Sequence, residues 1–265
     1  PPTPPRGRIS REAEARLAET GLWGLMVPQQ HGGTGCRFGD FVRGVTQLVR
    51  ANPTVAGLLS VHSTIGAVSA LTGFGTADQQ NRWLSRLAAG RPLSVFAATE
   101  PDAGCDLGRV QCRLERDGDR LLLSGTKMFI TGATHGRLVK LLALLEATPT
   151  IVLVELPATD TPAFRLHRYA LHPLRHTHNT ALEFHRFPVD PADLLEPTAA
   201  ASGLQRDGMA IVWHGLNRGR VTLAAQAAGT IGLLTAQAAA FARQRQTWGE
   251  PIIRRELVLG RLGRM

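Results

Sequence analysis

The sequence predicts an α+β protein: an N-terminal helical domain, a middle β-barrel or sandwich domain, and the start of a C-terminal helical bundle. Two changes of hydrophobic period carry this reading. Apolar residues recur at helical spacing up to about Pro92, alternate from Ser94 onward, and return to helical spacing from about Met209. The expected domains are therefore 1–92, 93–200 and 201–265.

In the first region Ser10 is placed to cap a helix with Glu12 and Glu14 in its first turn, running to about Glu19. Phe41, Val45 and Leu48 mark a second helix, Pro53–Leu71 a third and Asp78–Ala88 a fourth. Ala89-Gly90-Arg91-Pro92 closes the helical part. Ser94–Thr99 is a short apolar run that fits a strand. Val110, Cys112 and Leu114 alternate with polar neighbours, Asp117-Gly118 signals a hairpin, and Leu121–Ile130 returns as a long strand interrupted near Gly125. Val139–Leu145, Ile151–Leu156, Phe164–Leu166 and Leu182–Phe184 continue the β pattern. Helical period then runs to Arg245, and a further helix begins after Gly249-Glu250-Pro251.

Composition narrows the classes. The formal charge is +9, from 30 Lys+Arg against 21 Asp+Glu. This fits either a basic solvated surface or an anionic partner such as a phosphate-bearing cofactor or an acidic carrier protein. Zinc-finger spacing and RNP-like aromatic motifs are absent, so nucleic-acid binding is not expected. The 3 cysteines, Cys36, Cys105 and Cys112, form no CxxC, which argues against a disulfide scaffold or zinc site and for a reducing cytoplasm. His172, His176 and His178 cluster without a completing Cys, Asp or Glu and read as a solvated loop. Val221–Ala242 carries no charge and is long enough to span a bilayer, but its small residues, Gln226, Thr230 and Gln237 favour a buried bundle helix. The proline-rich start without methionine, and a helix still running at Met265, read as a fragment truncated at both ends.

Four segments are more specific: Thr99-Glu100-Pro101-Asp102-Ala103-Gly104-Cys105-Asp106, Gly125-Thr126-Lys127-Met128-Phe129-Ile130-Thr131-Gly132, Asn217-Arg218-Gly219-Arg220-Val221, and Arg245-Gln246-Thr247-Trp248-Gly249-Glu250-Pro251. Together with Leu22–Gly35 and Phe74–Gln80, their order and spacing resemble the acyl-CoA dehydrogenase family. The resemblance runs from about Gly21 to Met265. It implies FAD as cofactor and α,β-dehydrogenation of an acyl thioester, on CoA or on an acyl carrier protein. It also implies electron-transfer flavoprotein as electron acceptor and a homodimer or homotetramer.

Residue by residue, the resemblance places Phe96, Ala98 and Thr99 on a strand edge against the isoalloxazine, where donors stabilise charge building on the ring. Gly104 and Cys105 would lie near the FAD pyrophosphate and the thioester. Cys105 departs from the family's usual serine, a better donor than a thiol. Phe129 would pack on the flavin and Thr131 bond it. Arg220 would sit near the thioester, whereas Arg218 reads as solvated surface. Arg245, Thr247 and Trp248 would reach the FAD of a neighbouring subunit. The family's catalytic glutamate stands at one of two places. One is the position of Gly219, which has no side chain; the other lies beyond Met265. No catalytic base is therefore expected within these residues, and a bundle cut short should expose an apolar face. Two other readings stay open: a flavin-dependent monooxygenase or oxidase of the same fold, and a non-catalytic truncated subunit.

Overall fold

The computed structural model describes residues 8–169, 171, 176–196 and 208–265. His172 lies outside them, so the histidine-loop reading is described only at His176 and His178.

The N-terminal helices are α1 (Arg11–Glu19), α2 (Phe38–Ala51), α3 (Pro53–Ser60), α4 (Ala67–Phe74) and α5 (Ala77–Ala88). Ser10 caps α1 by accepting from the Ala13 amide, as its type and position require. Thr76 and Gln79 form a reciprocal capping box at α5. The expected single helix over Pro53–Leu71 is instead two. A π-helical turn, Val61–Ile65, follows α3, and Gly66 breaks the path before α4. The cause is long-range. His62 Nδ1 accepts from the Ser94 amide (2.9 Å), and Ser94 Oγ accepts from the Ala67 amide (3.0 Å), so the turn is bonded to the first strand. By length and hydropathy Pro53–Phe74, rather than Val221–Ala242, is the helical stretch able to cross a membrane, and 78% of its apolar window is buried.

The strands are β1 (Ser94–Ala97), β2 (Arg113–Asp117), β3 (Arg120–Thr131), β4 (Leu138–Leu145), β5 (Thr148–Glu155), β6 (Phe164–Tyr169), β7 (Asn179–Val189) and β8 (Leu194–Leu195). They form one eight-stranded mixed sheet in the order β6-β7-β3-β2-β4-β5-β8, with β1 parallel to β4. Side chains from seven of these strands, among them Val95, Leu114, Leu123, Leu141, Val152, Phe164 and Phe184, meet in a common core. Two expectations shift in length. Val110 and Cys112 are buried with Leu114, but the strand begins only at Arg113. The run expected at Leu182–Phe184 extends to 11 residues, because β7 pairs along nearly all of β3. The interruption at Gly125 is a register shift at φ +133°, and a Cβ there would lie 2.4 Å from Cys112 Sγ.

Helix α6 (Gly208–Gln244) spans 37 residues, followed by a small hairpin (Gln246–Thr247 with Glu250–Pro251) and α7 (Glu256–Leu262). Ile211, Val212, Gly215, Gly219, Thr222, Ala225 and Gly229 make its buried stripe at helical spacing. The opposite face is open: Val221, Leu223, Ile231, Leu234 and Phe241 are exposed. The buried bundle helix expected at Val221–Ala242 is thus covered on one side only, and the anticipated open apolar face is present.

Candidate functional site

A cavity of about 430 Å³ opens where β1, β3, the π turn and α6 converge. Eight of the predicted residues line it: Phe96, Ala98, Thr99, Gly104, Cys105, Phe129, Thr131 and Arg220. Val61, Ile65, Leu107, Ile130, Trp213 and Leu216 complete the wall.

The strand edge is held from behind by a buried ion pair. Lys127 Nζ, fully buried on β3, donates to Glu100 Oε1 (2.6 Å) and to the Ala98 carbonyl (2.9 Å). Glu100 also accepts from the amides of Gln111 (2.6 Å) and Cys112 (3.1 Å). Burial pushes the Glu100 carboxyl up, but the Lys127 charge and these hydrogen bonds outweigh it and hold it below its ordinary value. The Met128 amide donates to the Thr99 carbonyl (2.9 Å), which completes the join. Thr99 lines the cavity.

Phe129 takes a left-handed backbone conformation, φ +58°, at a register shift in the β3–β7 ladder. For an aromatic residue that conformation costs on the order of 1–3 kcal/mol, and such strain collects at functional sites. Its effect is visible: the ring stands 50% exposed at the cavity, 5.5 Å from the Tyr169 ring. Two residues on, Thr131 Oγ1 donates to Asn179 Oδ1 (3.0 Å).

The opposite wall is fixed by His62. Its Nδ1 is an acceptor, so Nε2 carries the proton and donates to the Leu87 carbonyl (3.2 Å). Burial drives its pKa down to about 4, which keeps this clamp neutral. At the mouth, exposed Arg220 donates to Asn217 Oδ1 (2.6 Å) and lies over the Trp213 ring at 5.7 Å. Arg218 is not the solvated residue expected from sequence: it is half-buried, with its guanidinium 5.0 Å from the Phe38 ring centroid. Gly219 faces Ile65, and a Cβ there would lie 2.6 Å from Ile65 Cγ1. Ile65 thus occupies the space a side chain at that position would need. No carboxylate stands among the residues lining the cavity.

Arg245, Thr247 and Trp248 are not brought to this cavity. They follow α6, and Arg220 to Gln244 alone spans roughly 36 Å at 1.5 Å per residue. Trp248 is 91% exposed at φ +50°, with the Arg255 guanidinium 5.3 Å from its ring. Sequence reasoning missed the π-turn wall, Trp213 and Leu216, and the Glu100–Lys127 pair. Both members of that pair stand inside the segments singled out above, so the signal was present. Among the described residues no group of three His, Cys, Asp or Glu is placed to hold a metal ion.

Helical, β and helical parts in this order, meeting at one cavity, define a protein of the acyl-CoA dehydrogenase class. Three models of that family match in sequence order: the N-terminal domain over residues 5–91, the middle domain over 95–187 and the C-terminal domain over 206–265. The chain belongs to the acyl-CoA dehydrogenase family. It is 30% identical over 240 residues to an acyl-CoA dehydrogenase of Bacillus subtilis (strain 168), covering 89% of this chain and 61% of that protein. Among solved structures it resembles the prolyl acyl carrier protein oxidase AnaB, with TM-score 0.85, 25% identity, and coverage of 97% of this chain and 67% of that one. An acyl-CoA dehydrogenase from Bacillus anthracis complexed with FAD gives TM-score 0.83 and 25% identity, over 95% of this chain and 41% of that one. The chain thus spans about three-fifths of the first curated relative it matches, and 39% of the next.

Proposed function

We propose that this protein acts in FAD-dependent α,β-dehydrogenation of an acyl thioester, carried on CoA or on an acyl carrier protein. The observation that carries the reading is the convergence of eight predicted residues, from three separate stretches of the chain, on one cavity. What supports a flavin ring here is a cavity of about 430 Å³ with the strand edge at Phe96, Ala98 and Thr99 on one side and the exposed ring of Phe129, at φ +58°, on the other. FAD, when bound, supplies the acceptor for the hydride leaving the β-carbon.

The chain's own residues do the rest of the positioning. Thr99 and Thr131 bring hydroxyl-bearing residues to the lining, and Phe129 offers an aromatic ring. Arg220 places a cation at the mouth, suited to an anionic thioester carrier. Cys105 and Gly104 leave backbone open to close approach. The α-proton needs a base, and neither Gly219 nor any lining residue provides one. In this reading the base comes from outside these 265 residues. Arg245, Thr247 and Trp248 act on the FAD of a second copy, because their own cavity is out of reach, which makes the working unit a homodimer or homotetramer. Electron-transfer flavoprotein is the acceptor and the cytoplasm the compartment in this reading.

Anaerobic titration of the full-length, flavin-loaded protein with a panel of acyl-CoA and acyl carrier protein thioesters tests it. Bleaching of the flavin absorbance by one of them is expected. A protein that binds FAD yet is bleached by none, and instead consumes oxygen when reduced, would turn the reading to the monooxygenase or oxidase alternative.

A further inference from the structure

Lys140 is a fully buried lysine whose Nζ has no hydrogen-bond partner. It sits on β4 between Leu138 and Leu142, both part of the apolar layer between the sheet and the helices. Its register partners are Phe96 on β1 and Leu153 on β5. Nζ lies 4.4 Å from the centroid of the Phe96 ring, and Phe96 lines the cavity. Across the layer, α6 makes room with Gly215, where a Cβ would fall 2.7 Å from Nζ, with the Ile65 and Thr64 carbonyl oxygens farther off at 3.3 and 3.4 Å. Leucine or methionine would fill this position without the cost of a lone buried ammonium, several kcal/mol in general. The amine is therefore a costly feature pressed against a wall of the cavity.

We propose that Lys140 is a positioning cation for the cavity, stabilising through the Phe96 ring the negative charge that reduction brings there and taking up one proton as it arrives. This rests on the flavin reading above. The lysine changes only its protonation: its neutral amine gains a proton from solvent, and no covalent or redox step occurs on it. Burial drives its pKa down to about 7, so both forms are populated near neutrality. The neighbouring groups do not share that window. His214 on α6 is held at about 4, by burial first and then by the charges of Arg218 and Lys140. His62 on the π turn is also at about 4. Arg218 remains a cation, β1 and β5 offer Phe96 and Leu153, and α4 carries no ionisable side chain. Lys127 is already paired to Glu100.

The test is the flavin midpoint potential of the full-length holoprotein and of Lys140→Met, by dithionite titration from pH 6 to 9. At pH 6 the wild type should hold a reduced-to-oxidised ratio about tenfold above the variant at the same potential, about 30 mV for a two-electron couple. The gap should close toward pH 9 as the wild-type amine loses its proton. Equal potentials across the range would overturn the proposal. Should Lys140→Met fail to fold, NMR of carbon-labelled lysines in the wild type decides. One resonance titrating near pH 7 in the oxidised protein should move upward on reduction, and a resonance that stays put overturns the proposal. A protein that stays colourless with added FAD overturns the flavin reading itself, and this inference with it.

Discussion

The two halves of α6 differ in composition and in circumstance: the near half carries Trp213, His214, Arg218 and Arg220, and the far half is rich in alanine. From Gly208 to Thr222 the helix lies against β5, α4 and the π turn, and Ile211, Val212, Gly215, Gly219 and Thr222 are buried. From Leu223 onward it keeps one line of contact, chiefly with α2 through Ala225 and Gly229, while Leu223 stands 66% and Phe241 62% exposed. The near half finds its partners within the described residues and builds a cavity wall. The far half carries an apolar face of the kind that marks an interaction surface, and three of the predicted cofactor residues, Arg245, Thr247 and Trp248, follow directly after it. Position along one helix thus separates residues that line the cavity from residues that lie outside it.

The sharpest way to break the contrast is to weaken the near side at its stiffest point. Glu100→Gln leaves Lys127 buried without a counter-charge, a loss of about 3–5 kcal/mol, read as a lower urea midpoint with unchanged slope. The pH dependence has a definite sign. Glu100's folded pKa is held below its ordinary value near 4.5. Its contribution is therefore complete above that value and fades as pH falls through the lower folded one. Glu100→Gln should flatten the acid side of the stability profile. An acid limb as steep as the wild type's would mean that Glu100 is not the group being titrated.

A pair of glycines in the far half sharpens it next. At Gly229 an added Cβ would lie 2.4 Å from the Thr46 carbonyl oxygen and 2.5 Å from Val49 Cγ1. At Gly232, one turn on, it meets nothing within 4 Å. Gly229→Ala should cost about 1–3 kcal/mol through overpacking against α2. Gly232→Ala should gain about 0.5–1 kcal/mol, the usual benefit of replacing glycine in a helix interior. Thermal melts of both report the line of contact directly, and a gain at both positions would mean that α6 does not rest on α2.

Much of this was legible in the sequence, for a reason that differs by region. The hairpin at Asp117-Gly118, the interruption at Gly125 and the capping residue Ser10 are local signals, and local chemistry decides them. The cavity residues were legible because they stand in motifs of fixed spacing. What escaped depends on contacts distant in sequence. His62 and Ser94, 32 residues apart, turn one apparent helix into two. Lys140 interrupts an otherwise apolar run, and only the opposing Gly215 and Phe96 show that its amine is buried without a partner. The open face of α6 beyond Thr222 was anticipated from the expected incomplete bundle, but which of its residues stay uncovered follows only from the contact with α2.

The smallest expected effect bears on that last point. Phe241→Ser removes a large apolar side chain from the open face, where its ring is mostly in water. A buried phenylalanine would cost about 3–5 kcal/mol on truncation, but a surface substitution away from packed groups stays within about 0.5 kcal/mol. Urea unfolding of this 265-residue chain at low concentration should therefore not distinguish the variant from the parent. The same substitution in the full-length protein meets a different environment if the open face is covered there. A loss of several kcal/mol in that setting, with none in the shorter chain, would show that the far half of α6 completes its packing through residues outside this segment or through a second copy. Equal small effects in both would leave the face open to solvent.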